Sequence, residues 1–332
     1  MEILLLYGGK SVEHEVSLKT ASFIRSNLNA LGHTVKDIYI TKEGLFTYND
    51  EPVSIIPPTG FFIGDNLLTA DCAFIAMHGA FGEDGRVQGM LEQLDLPYIS
   101  TNSSSSMLGM HKDLQYKALP TIPRIPYLCF NYQDEIDFKT VKETLGENLI
   151  LKPEAGGSSV GIIHLKEASQ KEFSKSLNEI FTLDDNIIIQ PYLGSFKELM
   201  LGVYKTGKEV KAIGPGMMDC ALDILDYEAK YTKNNVAIFN PEPILDDVIK
   251  KGAQEMARAV FKGLNCSMYA RVDLFLKGDK LYLNEINTIP GFTETSYFPQ
   301  LLKRDIGVQR FLTLMIEESF KLYERRKGIN HG

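Results

Sequence analysis

The chain has 332 residues, of which 44% are apolar and 23% charged, and its 35 Lys and Arg against 43 Asp and Glu give a formal net charge of -8. That balance excludes a general binder of nucleic acid or acidic membrane, and leaves room only for a local basic pocket. The length allows two or three domains. Cys72, Cys129, Cys220 and Cys266 show no CxxC or zinc spacing and read as free thiols of a reducing compartment. The start, MEILLLYGGK, has no basic n-region, and no apolar run approaches a membrane span, so a cytoplasmic protein without membrane or nucleic-acid partners is expected.

Residues 3–7, ILLLY, form a continuous apolar run ended by Gly8 and Gly9, the pattern of a buried parallel strand feeding a tight turn. Ser17 is placed to cap a helix carrying Leu18, Ala21, Ile24 or Arg25, and Leu28 at helical spacing, which Gly32 closes, and residues 33–40 resume as a strand. A strand over 72–77 runs into HGAFGEDG, followed by a helix with Val87, Met90, Leu91 and Leu94 on one face. Strand, glycine loop and helix, used twice, predict an open α/β sheet whose ligands sit at the carboxyl ends of its strands. The first loop, GGKSVEHEVS, is not GxGxxG, so no dinucleotide site is supported. Glu13 and Glu15 lie beside the expected crevice. Either can hold a substrate ammonium, or both can serve as first-turn acids on the helix dipole, which suits Glu15 better. His78, at a strand end, either touches substrate or hydrogen-bonds the glycine loop.

The serine run 103–106 reads as a link into a second region, with Lys112 near the start of a helix broken by Pro120 and Pro123. A strand over 149–151 delivers KPEAGGSSVG, and a second strand follows at 162–165. A Gly and Ser loop with Lys152 at its mouth suits phosphate, though it is not the Walker pattern and equally fits a flexible hairpin tip. Residues 187–193, IIIQPYL, read as a buried strand entering a bend that can line an adenine pocket, with Glu198 placed for ribose hydroxyls. Residues 217–243 have little periodicity, which predicts a closing loop over the site. An amphipathic helix is predicted over 246–264, with Val248, Ile249, Ala253, Met256, Ala257, Val260 and Phe261 on its core face.

The richest stretch is RVDLFLKGDKLYLNEINTIPGFTETS, residues 271–296. Its two alternating runs flank a turn at Gly278, so Arg271 shares a strand face with Asp273, and Glu285 with Asn287. Two carboxylates beside an amide oxygen suit Mg²⁺, a hard cation that often completes its shell with phosphate. The same charges also suit an ordinary wet hairpin face.

Six stretches, GGKSVEHEVSL, HGAFGEDGRVQGMLE, KPEAGGSSVG, DYEAKY, ARVDLFL and LNEINTIPGFTETS, occur in the order found in the D-alanine–D-alanine ligases of the ATP-grasp superfamily, and the chain resembles that family from Gly8 to Ser296. The resemblance implies an ATP-grasp fold of three α/β domains, expected at 1–102, 103–190 and 191–332. The first would be an open parallel-sheet, Rossmann-like (preATP-grasp) domain. It implies ligation of two D-alanines through a D-alanyl phosphate, with ATP and two Mg²⁺ ions for which Mn²⁺ can substitute, and a homodimer. Asp273, Glu285 and Asn287 would hold metal, while Lys112, Lys152 and Lys230 would meet phosphates. Gly157, Ser158, Ser159, Gln190, Tyr192, Leu193 and Glu198 would line the nucleotide site. Arg271 and the Gly291 N–H would stabilise the oxyanion, Glu13 would bind the first ammonium, and Ser296 with Lys230 the second carboxylate. Glu13, Ser158 and Tyr231 match a trio that ties the closing loop to the substrate, and Tyr231 favours D-alanine over D-lactate or D-serine as acceptor.

Three departures stand out. His111 replaces the Asp that usually precedes Lys112, Gln190-Pro191 replaces an acidic–basic pair beside the base, and the phosphate loop reads EAGGSSVG where a charged residue often precedes the Gly-Ser-Ser, with Gly157 making it more flexible.

Overall fold

The computed structural model describes residues 1–157, 159–220 and 237–329, with residues 219, 220 and 237 by backbone alone. The first sheet is built from β1 (Glu2–Gly8), β2 (Thr34–Ile40), β3 (Phe46–Tyr48), β4 (Glu51–Ile56), β5 (Gly60–Ile63), β6 (Asn66–Leu68), β7 (Cys72–Ile75) and β8 (Tyr98–Ile99), with helices α1 (His14–Ala30) and α2 (Arg86–Gln93). Its order is β6-β5-β4-β3-β2-β1-β7-β8. The half from β2 to β8 is parallel, as the strand–loop–helix pattern predicts. β1 is apolar and buried from Ile3 to Leu6 because both its faces are covered there. Ile3 and Leu5 pack with Ala21, Ile24 and Leu28 of α1, and Leu4 and Leu6 with Val87 and Leu91 of α2. The antiparallel meander β3–β6 was not expected; its strands are too short and too exposed to carry a clear alternation.

Ser17 is not the cap expected of it. Helix α1 already begins at His14, and Ser17 is fully buried one turn in. Its Oγ accepts the Gly8 N–H and donates to the Ala76 carbonyl, each at 2.7 Å, so it fastens the ends of β1 and β7 together. Gly32 closes the helix as expected, with φ +80°.

A second sheet, β11-β10-β12-β9, is formed by β9 (Leu128–Asn131), β10 (Asn148–Pro153), β11 (Ile163–Lys166) and β12 (Asn186–Pro191). Its helices α5 (Phe138–Leu145) and α6 (Gln170–Ile180) cover one face. Leu149, Leu151, Ile187 and Ile189 pack there with Phe138, Val141 and Phe173. Before it come α3 (Ser103–Met110) and α4 (Lys112–Ala118). The serines at 103–106 are therefore helix and not linker. Asn102 caps α3 by accepting the Ser105 N–H at 2.8 Å, and the buried Ser105 hydroxyl donates to the Leu264 and Asn265 carbonyls. Tyr116 and Leu119 join the core of the third sheet.

That third sheet has the order β15-β14-β13-β16-β17, from β13 (Lys197–Thr206), β14 (Glu209–Cys220), β15 (Ala237–Asn240), β16 (Tyr269–Lys277) and β17 (Lys280–Asn287). Helix α7 (Asp247–Gly263) matches its prediction closely. Asp246 caps it, and Ala253, Ala257, Val260 and Phe261 cover Leu199, Leu201, Val203, Val272 and Leu274. Val248 is the exception: it sits in the first turn, 78% exposed and outside the core. The predicted closing loop at 217–243 begins and ends in the paired strands β14 and β15. Residues 221–236, with Lys230 and Tyr231, lie outside the described residues, as does Ser158.

Helices α8 (Tyr297–Lys303) and α9 (Val308–Lys327) complete the fold. Phe298, Leu301, Phe311, Leu312 and Met315 enter the same buried cluster as Ile3, Leu5 and Ile24, so the first and third sheets share one continuous core. Among the described residues, no helix is long and apolar enough to cross a membrane.

Candidate active site

The second and third sheets each turn one face to a common cleft, a cavity of about 210 Å³. Strand alternation decides which side chains reach it. On β10, Leu149 and Leu151 point to the core, and Ile150 and Lys152 to the cleft. On β16, Val272 and Leu274 are core residues, while Arg271, Asp273 and Phe275 take the opposite face. The cleft brings together Lys112, Lys152, Gly157 and Ser159 at one end and Gln190, Tyr192, Leu193 and Glu198 at the other. Glu285 also lines it.

The expected hairpin forms, and its register sets Arg271 opposite Asn287 and Asp273 opposite Glu285. Just beyond, a bulge pairs Leu274 with Leu283 and leaves Asn284 turned into the cleft. Arg271 grips Asp273 as a fork, Nε to Oδ1 at 2.8 Å and Nη2 to Oδ2 at 2.7 Å. Asn287 Nδ2 donates to the same carboxylate at 2.9 Å, which leaves the amide oxygen turned away from it. Burial alone would loosen the guanidinium proton, but Asp273 more than reverses this and raises its affinity. Lys112 Nζ lies 3.5 Å from Glu285 Oε2 and donates to the Gly156 carbonyl at 2.6 Å. Lys152 is buried beside it. Desolvation, aided by the Lys112 charge, lowers its pKa to about 7. The loop it opens is strained, with the non-glycine Ser159 at φ +59°.

Among the described residues, no three His, Cys, Asp or Glu side chains form a metal cage. Asp273, Glu285 and the Asn287 amide offer a smaller all-oxygen set on one strand-pair face. That set fits a hard divalent cation sharing its ligands with phosphate, and does not fit zinc.

Glu13 lies at the N-cap position of α1 without capping it. Its carboxylate reaches across the molecule: a Cβ on Gly79 would come within 2.6 Å of Oε2, and one on Gly157 within 3.5 Å. Of the two readings of the first-loop acids, Glu15 takes the helix role, exposed and 3.0 Å from Lys42. His78 follows neither expectation fully. Its ring meets Thr20 Oγ1 at 2.8 Å and the Ile289 carbonyl at 3.1 Å, with Glu83 of the glycine loop 3.7 Å away. Burial opposes its charge, but Glu83, Glu13 and the Ile289 carbonyl together raise its pKa. It thus ties the first sheet to the turn carrying Gly291. Ser296 Oγ accepts the Thr293 N–H at 3.0 Å and lies 3.1 Å from where a Gly291 Cβ would be, so hydroxyl and glycine backbone share one turn.

At the base end, Pro191 has no N–H and the Tyr192 N–H is spent on the Asn148 carbonyl at 2.8 Å. Lys277 donates to the Leu193 carbonyl. The expected base contacts therefore narrow to groups beyond the strand end. Ile125, Ile162, Met218, Phe196 and Phe275 also line the cleft. Met218 falls within the segment predicted to close over the site; sequence reasoning missed the other four because isolated apolar residues carry no chemical signature, although Phe196 stands two residues before Glu198.

The D-ala D-ala ligase C-terminus family model matches residues 118–317 and the N-terminus model residues 2–101. The chain belongs to the D-alanine–D-alanine ligase family. It is 30% identical to a D-alanine–D-alanine ligase of Finegoldia magna, over 98% of this chain and 97% of that one. The solved D-alanine-D-alanine ligase of Coxiella burnetii superposes with a TM-score of 0.86 at 28% identity, covering 98% and 96% of the two chains. The VanG D-Ala:D-Ser ligase of Enterococcus faecalis gives 0.85 at 27%, covering 96% and 99%. Family and ATP-grasp fold thus agree with the sequence resemblance.

Proposed function

We propose that the protein joins two D-alanines into D-alanyl-D-alanine at the expense of ATP, as a cytoplasmic step in building peptidoglycan precursors. The observation that supports this reading is the cleft in which Lys112 and Lys152 meet Glu285, on the hairpin where Asp273 stands opposite Glu285 and Arg271 opposite Asn287. Asp273, Glu285 and Asn287 would hold Mg²⁺, or Mn²⁺ in its place, and two such ions would screen the triphosphate. Glu13 holds the ammonium of the first D-alanine and so presents its carboxylate to the γ-phosphate. Lys112 and Lys152 lower the repulsion between carboxylate and phosphate. The amine of the second D-alanine attacks the acyl phosphate. Arg271 and the Gly291 N–H face the negative charge that grows on the carbonyl oxygen, and phosphate leaves. Ser296, with Lys230, takes the second carboxylate. Ser158 and Tyr231 join Glu13 in closing the pocket, while Gly157 and Ser159 approach the phosphates and Glu198 the ribose. The division at 1–102, 103–190 and 191–332 and a homodimer complete the reading.

A second reading, D-serine or D-lactate as acceptor, is favoured by the likeness to the VanG D-Ala:D-Ser ligase. Purified protein with ATP, Mg²⁺ and D-alanine is expected to release phosphate and a dipeptide of D-alanyl-D-alanine mass, even with D-serine or D-lactate competing. Glu285→Ala is expected to lose turnover at an unchanged circular dichroism spectrum. No phosphate release with any pair of D-amino acids would sink the assignment.

A further inference from the structure

Glu154, just past Lys152, is 3% exposed although it is an acid. Its N–H donates to the Asn186 carbonyl at 3.1 Å, and its carboxylate and carbonyl both turn to the start of the short helix that carries Lys112. Oε2 accepts from His111 Nδ1 at 2.7 Å and Oε1 from the Asp113 N–H at 2.9 Å, and its carbonyl accepts the Lys112 N–H at 3.3 Å. Lys112 in turn donates to the Gly156 carbonyl, two residues beyond Glu154. The next backbone N–H, of Ala155, donates to Asp184 Oδ2 at 2.6 Å. Residues 111–113 and the base of the phosphate loop are thus laced together through one buried carboxylate. A buried carboxylate is stable only when its acceptor sites are filled, so removing one donor disturbs the others.

We propose that His111 and Glu154 form a positioning pair: the imidazole orients the carboxylate, which fixes the start of α4 and, through Lys112, the phosphate loop over the nucleotide. It rests on the ATP-ligase reading above. The surroundings make the pair sensitive to pH. Facing His111 are Glu154 on the exit of β10, Asp184 ahead of β12, and Asp84, paired with Arg86, on the glycine loop of the first sheet. Lys112 and Asp113 follow it on its own helix. The hydrogen bond to Glu154 is the main cause raising the imidazole pKa from its ordinary 6.5, against partial burial, and the charges of Glu154, Asp184 and Asp84 add to it. The charged pair is complete at low pH and loses its ionic part as pH rises through the raised value.

The test takes the full chain with ATP, Mg²⁺ and D-alanine, reads KM for ATP from about pH 6 to 9, and follows the His111 ring by NMR. His111→Ala raises KM for ATP about tenfold, the loss of one charge-assisted hydrogen bond, with kcat falling less than KM rises. His111→Asn keeps a donor near the Nδ1 position; it restores KM and removes from its pH profile the step that follows the His111 ring titration, leaving that of Lys152. Glu154→Gln moves the ring titration, and the rise in KM, to lower pH. KM within twofold of wild type in His111→Ala, or an alkaline rise unchanged in both conservative variants, overturns the pairing. Should His111→Ala fail to fold, the conservative variants decide alone. Wild-type protein that releases no phosphate would count against the ligase reading, whereas the ring titration in Glu154→Gln would still decide the pair.

Discussion

Lys152→Met removes a buried charge while keeping the side chain's length and most of its volume. Lys152 is 6% exposed, and its pKa falls from 10.5 to about 7, first through desolvation and then through Lys112. At about 1.4 kcal/mol per unit, that shift sets a ceiling near 5 kcal/mol on what the native state gives up by holding the ammonium there. Relaxation and water reduce this, and about 1–3 kcal/mol is the realistic gain on replacing it by an apolar chain. Between pH 7 and 10.5 the unfolded state holds the proton more firmly than the native state, so this group makes wild-type stability rise with pH over that window. The advantage of Lys152→Met is therefore largest at pH 7 and below, and fades toward pH 10. Thermal unfolding without nucleotide, at several pH values from 6 to 9.5, measures it; ATP binding, followed calorimetrically, should be lost in the same variant. A variant that melts at or below the wild-type temperature at pH 7, or a gap that does not narrow as pH rises, would refute the reasoning.

Ser17→Ala strands the Gly8 N–H and the Ala76 carbonyl in the core, and is expected to cost about 2–3 kcal/mol in urea unfolding with the slope unchanged; a loss under about 0.5 kcal/mol would contradict the bridging role. Gly79→Ala places a Cβ 2.3 Å from Ser11 Oγ and 2.6 Å from Glu13 Oε2, at φ +67°. It is expected to raise KM for the first D-alanine about tenfold while KM for ATP stays within about twofold, as loss of one charged contact would do. Parallel rises in both would mean that the glycine loop supports the whole cleft and not Glu13 alone.

The legible parts of the chain were those where one physical demand acts alone. The run 3–7 had to be buried on both faces, the 246–264 period had to be a helix, and the 271–287 alternation fixed which four polar side chains meet. The errors fell where a residue type serves two demands. A serine before an apolar period looks like a cap, and Ser17 instead joins two strands. Four serines in a row look like a linker, yet Ser105 finds backbone carbonyls 159 and 160 residues away. His78 was ambiguous because its partners Thr20 and Ile289 come from opposite ends of the chain, and no local pattern encodes such a meeting. The same holds for Glu154, which reads as one more polar loop residue until His111 is placed against it.

The core shared by β1, α1 and α9 has a consequence for how the protein is made. Ile3 and Ile24 are buried against Phe311 and Met315, some three hundred residues later in the chain. A ribosome emitting about 5–20 residues per second leaves the early strands waiting, with an apolar flank uncovered, for tens of seconds until α9 emerges. The second sheet, with its own core, has no such delay and can fold as soon as it leaves the tunnel. Nascent chains of this protein should therefore acquire structure from the middle outward, and it is the amino-terminal segment that most needs a chaperone's cover during synthesis.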